Sequence, residues 1–73
     1  MAEEALDPGI VALVQWRQAT ANDPRDWSLI ATSLGSSNPK YMPEAHREAT
    51  KRFLAFAQPV QFALVKRIVE EQR

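Results

Sequence analysis

The chain has 73 residues, no Cys, nine Lys or Arg against nine Asp or Glu, and a formal net charge of zero. That length allows a single domain with a small core, and the lack of Cys removes disulfides and thiolate metal sites as reinforcement. Neutrality excludes a global field that would draw in nucleic acid or anionic lipid.

The charge is nevertheless uneven. Glu3, Glu4, Asp7, Asp23 and Asp26 outnumber Arg17 and Arg25 in residues 1–26, whereas Lys40, Arg47, Lys51, Arg52, Lys66, Arg67 and Arg73 outnumber Glu44, Glu48, Glu70 and Glu71 beyond them. No apolar run reaches the ~20 residues that a membrane-spanning helix needs, and no basic start followed by an apolar core marks a leader. A cytoplasmic protein with no membrane partner is expected. Beginning at Met1 without a tag, the chain reads as a complete small gene product.

Residues 1–6 form an acidic lead. Asp7-Pro8 then opens the first helix, Asp7 capping free N–H groups and Pro8 occupying the first helical position, with a predicted span of 8–21. Ile10, Leu13 and Val14 make its inner stripe, flanked by Val11 and Trp16. Arg17 falls near the middle of that stripe, so its guanidinium is expected either to reach out past the helix end or to enter a half-buried ion pair or partner contact.

Asp23 is read as the cap of the second helix and Pro24 as its first residue, giving a span of 24–34. Trp27, Ile30, Ala31 and Leu34 fall on one helical face. Gly35 is expected to stop the helix in a left-handed conformation. Residues 36–42 form a linker in which Asn38-Pro39 signals a turn or a single 3₁₀ turn, and Tyr41 and Met42 are expected to fold back on the core.

The third helix is predicted over 43–57, with Ala45, Ala49, Phe53, Phe56 and Ala57 inward. Pro59 interrupts it, and a fourth helix follows over 59–71. That helix is apolar over an arc of roughly 200°, wider than a surface helix needs. Val60, Leu64 and Ile68 form one stripe, and Phe62, Val65 and Val69 another beside it. Either the bundle swallows both or one is left for a partner. The fold class is therefore all-α, a compact three- to four-helix bundle.

Catalytic chemistry finds little support. His46 is the only histidine, and no Cys or acidic cluster joins it as a metal ligand. Glu44 and Glu48 are explained by pairing with Arg47, Lys51 and Arg52 along the helix. Gly9 and Gly35 do not make a phosphate loop, and Ser28, Ser33, Ser36 and Ser37 have no neighbouring base. A non-enzymatic protein without cofactor, metal or small-molecule substrate is expected.

The segment Trp27-Ser28-Leu29-Ile30-Ala31-Thr32-Ser33-Leu34-Gly35 resembles the second helix and turn of helix-turn-helix and Myb/SANT-like domains, a likeness covering about half the chain. It implies a helix-turn-helix-like core whose next helix would present His46, Arg47, Thr50 and Lys51 to DNA, with Arg25 and Lys40 on phosphates. By type alone, a small neutral Cys-free chain resembles phage-encoded proteins that bind host RNA polymerase and inhibit it or suppress termination. That likeness implies a transcription regulator working by protein–protein contact with a large partner, for which Glu3, Glu4, Arg17, Phe62, Val65 and Val69 are the candidate contacts. Sequence-specific DNA binding is the alternative reading, and a homodimeric assembly protein joined through the fourth helix is the third.

Overall fold

In the computed structural model, which describes residues 6–71, the chain forms four α-helices and a single 3₁₀ turn. They are α1 (Pro8–Ala19), α2 (Trp27–Gly35), the turn Pro39–Tyr41, α3 (Glu44–Ala55) and α4 (Gln58–Glu70). The Cα radius of gyration is 11.4 Å. A compact chain of this length has about 11 Å, so α4 is packed on the rest rather than swung away.

The start of α1 is as expected. Asp7 accepts the N–H groups of Gly9 at 2.8 Å and Ile10 at 3.3 Å, with Pro8 behind it. The helix stops at Ala19, short of residue 21, because the Thr20 N–H and hydroxyl both turn back to the Arg17 carbonyl. The start of α2 is displaced. Asp23 caps a separate turn, accepting the Arg25 N–H at 3.1 Å, while its carbonyl takes the Asp26 N–H. Asp26 is the true cap, accepting from Leu29 at 3.2 Å, so the helix begins at Trp27.

Gly35 is the last helical residue and has no positive φ. The terminal carbonyls are met by the N–H groups of Ser36 and Ser37, which reach Thr32, Ser33 and Leu34, and by their hydroxyls, Ser36 donating to Thr32 and Ser37 to Ser33. The smallness of Gly35 matters for packing, since a Cβ there would lie 3.0 Å from Gln61 Oε1 on α4. Asn38 caps the 3₁₀ turn through the Lys40 N–H, as the sequence suggested. Met42 is buried, but Tyr41 is 77% exposed and does not fold back.

The core joins Ile10, Leu13 and Val14 of α1, Ile30, Ala31 and Leu34 of α2, Met42 just after the 3₁₀ turn, Ala49 and Phe53 of α3, and Val65, Ile68 and Val69 of α4. On α3 the inward face is rotated from the expected one. Ala49, Thr50 and Phe53 are buried and Ala45 is exposed, while Phe56 and Ala57, also exposed, lie past the helix end at Ala55 rather than within a helix reaching residue 57. Thr50 tolerates burial because its hydroxyl donates to the His46 carbonyl at 2.7 Å, leaving only its methyl to pack.

On α4 the buried set is Gln61, Val65, Ile68 and Val69. The amide of Gln61 explains its place inside. Its Nε2 donates to the carbonyls of Phe53 and Phe56, both at 3.1 Å, and so closes the end of α3, where the chain bends into α4. Ion pairing along α3 is limited to Lys51 with Glu48, while Arg52 turns to Asp7 instead.

Helices pair by alternation. The chief packing partners are α2 with α4 and α1 with α3, and the consecutive α2 and α3 touch only slightly. Helix-turn-helix units pack consecutive helices across a tight turn; here residues 36–43 separate the two.

Candidate functional site

The residues proposed to meet nucleic acid are divided by the fold. Arg25, Lys40, Arg47 and Lys51 are exposed. His46 is half-buried against Trp16, ring centroids 5.3 Å apart, and Thr50 is fully buried. Both therefore leave the reading face. Arg47 is committed in part, its Nε donating to the Met42 carbonyl at 3.0 Å. The Lys40 ammonium lies 5.6 Å from the Tyr41 ring. Glu44 and Glu48 remain exposed with Arg47 and Lys51, so the open surface of α3 carries both signs.

The residues proposed to meet a protein are divided too. Glu3 and Glu4 lie outside the described residues. Val65 and Val69 are 0% and 2% exposed, which removes them from any docking surface. Phe62 is half-buried with its ring edge-on to Trp27, centroids 6.4 Å apart, and Lys66 covers the same indole at 5.5 Å. Arg17 enters no ion pair among the described residues. Its Nε donates to Ser33 Oγ at 2.9 Å and its Nη1 to Thr20 Oγ1 at 2.7 Å, tying α1 to α2.

The apolar surface left open lies elsewhere. Phe56 and Val60 are 41% and 44% exposed at the bend between α3 and α4. Beside them a groove of ≈ 320 Å³ is lined by Leu6, Ile10, Phe56, Leu64 and Ile68, with Asp7 and Arg67 supplying its polar lining. The sequence carried one signal for this site. Pro59 obliges the chain to break nearby, and Phe56, the residue at the break, takes an extended conformation that the helical pattern cannot describe.

One ion pair anchors this groove. Arg52 grips Asp7 with its fork, Nε to Oδ2 at 2.7 Å and Nη2 to Oδ1 at 3.1 Å, joining the start of α1 to the end of α3. The guanidinium does most to hold the Asp7 carboxyl below its ordinary value; burial opposes it, and the N–H groups of Gly9 and Ile10 add to the lowering. The same pairing raises Arg52. Gly9 makes room for this contact, since a Cβ there would stand 2.6 Å from Arg52 Nη2.

Two more grooves are open. One of ≈ 370 Å³ lies between the end of α1 and α2, lined by Arg17, Ala21, Asn22, Asp23, Leu29, Ile30, Thr32 and Ser33. The other, of ≈ 230 Å³, is more polar and lies between α2 and α4 around Gly35, Ser36, Gln58 and Gln61. Among the described residues no group of His, Asp or Glu is arranged to hold a metal ion, and no helix is long and apolar enough to cross a membrane.

No family model, curated protein or solved structure matches the chain.

Proposed function

We propose that this chain is a non-enzymatic regulator that acts by binding a larger protein, with RNA polymerase as the partner to test first. The observation that supports this reading is the open apolar surface at the α3–α4 bend. Phe56 and Val60 stand out from the fold beside a groove walled by Leu6, Ile10, Leu64 and Ile68. Exposed apolar side chains beside such a groove are a reason to look for a partner. Arg52 and Arg67 at its border are already paired with Asp7 and Glu71, so the surface suits an apolar segment of the partner with little net charge.

The test is the binding of fluorescently labelled protein to purified RNA polymerase, with and without the paired substitution Phe56→Ser and Val60→Ser. Both side chains lie outside the core cluster, and the variant's helical circular dichroism is checked to confirm that it stays folded. Saturable binding that the variant loses supports the reading. Equal binding by both proteins removes this surface from it, and no binding by the parent chain removes the polymerase.

A further inference from the structure

The ≈ 370 Å³ groove between α1 and α2 is lined by a half-buried cation and an exposed anion that have no charged partner among the described residues. Arg17 and Asp23 both line it, and neither belongs to any of the ion pairs among the described residues. They are thus not within 4.0 Å of one another, although they share one groove of modest volume. A half-buried arginine normally finds a carboxylate; this one is held by the hydroxyls of Ser33 and Thr20. Those contacts take Nε–H and one N–H of Nη1. Both N–H groups of Nη2 and one of Nη1 remain to donate to a carboxylate.

The rest of the lining fits the same kind of ligand. Ala21, Ile30 and Leu29 are aliphatic, and Leu29 is 64% exposed although it stands on the helix that contributes Ile30 and Leu34 to the core. Asn22, Thr32 and Ser33 add neutral hydrogen-bonding groups. The loop bearing Asp23 is set in place before any ligand arrives. Gln18 Nε2 donates to the Pro24 carbonyl at 2.7 Å, and one Asp23 oxygen accepts the Arg25 N–H, which leaves the other free.

We propose that this groove binds a free α-amino acid with an aliphatic side chain, as an effector rather than a substrate. Such a ligand carries a carboxylate for Arg17, an ammonium for Asp23 and an apolar group for Leu29 and Ile30, all from one carbon. Each opposite charge in the groove then gains the partner it lacks, and the ligand's own charges are met together, as a small mixed pocket requires. The site is separate from the apolar surface at the α3–α4 bend and stands whether or not that surface binds a protein.

The experiment is a titration of ¹⁵N-labelled protein with L-leucine, N-acetyl-L-leucine and L-leucinamide at low salt and neutral pH. Saturable shifts are expected from leucine at the amides of Ala21, Asn22, Leu29 and Ser33. Affinity for either blocked analogue should be at least roughly tenfold lower, the loss of about one charge-assisted contact. Arg17→Gln should abolish binding. Because that change also removes an α1–α2 tie, Asp23→Asn provides the second variant; its amide oxygen still accepts the Arg25 N–H, and its affinity for leucine should fall to that of N-acetyl-leucine. Equal binding of all three compounds overturns the proposal. So does a map of shifts away from the groove, or no shift at a leucine concentration far above the ~millimolar affinities of weak small ligands.

Discussion

Gln61 offers a sharp test of how this fold is held. The residue is only 7% exposed, and its Nε2 serves the carbonyls of Phe53 and Phe56. Replacing it with Met keeps the length and removes both donations. At about 1 kcal/mol net per hydrogen bond, the cost is about 2 kcal/mol. A domain of this size has a total stability of roughly 4–11 kcal/mol, and the loss should lower the thermal midpoint by roughly 8–16 °C. Gln61→Glu tests the direction of the bonds. A carboxylate has no hydrogen to give and would face two carbonyl oxygens, so its pKa in the folded state rises above the unfolded value of about 4.3. The stability of this variant relative to the parent is therefore best below that unfolded value and is lost as pH rises through the folded one. Urea melts followed by circular dichroism at pH 4 and pH 7 measure both effects. A Met variant within about 0.5 kcal/mol of the parent would refute the capping role, the margin expected of an inconsequential substitution. A Glu deficit that is the same at both pH values would refute it as well.

Four other outcomes are expected. Because Asp7 is held below its ordinary value by Arg52 and backbone N–H groups, its contribution is complete above about pH 3.9 and disappears as pH falls through the lower folded value; Asp7→Asn keeps a cap but should lack this acid limb in urea midpoints taken from pH 7 downward. Phe53 is the largest fully buried side chain, and Phe53→Ala should cost about 3–5 kcal/mol, a large share of the available stability, as read from urea unfolding. With His46 and Thr50 turned inward, a mixed-sequence DNA duplex at low salt should leave the ¹⁵N spectrum unchanged; saturable shifts at Arg47 and Lys51 whose salt dependence weakens in Lys51→Ala would restore the DNA reading. With Val65 and Val69 enclosed, sedimentation should find a monomer at high concentration, and a dimer would revive the assembly reading.

Local signals were readable where a residue's fate is decided within a turn or two. Asp7-Pro8 opens α1, Asn38-Pro39 makes a 3₁₀ turn, and the stripes Ile10, Leu13, Val14 and Ile30, Ala31, Leu34 point inward. Errors came where a polar group finds its partner at a distance or within its own helix. Thr50 enters the core because its hydroxyl is answered one turn back, and Gln61 because α3 ends beside it. Those burials rotate the inner faces of α3 and α4 away from the purely apolar stripes. Asp23 and Asp26 both have cap chemistry, and only the closed turn over residues 23–26 decides between them. The Asp7–Arg52 pair spans most of the chain and leaves no periodic trace. The candidate surfaces were less legible for the same reason: which apolar residues stay open depends on how the helices pair, and the spacing of Phe56, Val60 and Leu64 does not encode it.

The alternation of helix partners bears on how the molecule assembles. Neither α1 with α2 nor α3 with α4 makes the principal contacts of its own half, since α1 leans on α3 and α2 on α4. No hairpin of neighbouring helices can therefore serve as a self-sufficient seed, and the chain must close long loops before its main contacts form. Cleavage within residues 36–43 would divide both principal pairs at once. Each fragment would then be largely unstructured alone, and an equimolar mixture would recover helix only by joining one half to the other, in proportion to concentration. The linker thus acts as the tether that turns a second-order association into folding, by holding each half at a high effective concentration of the other.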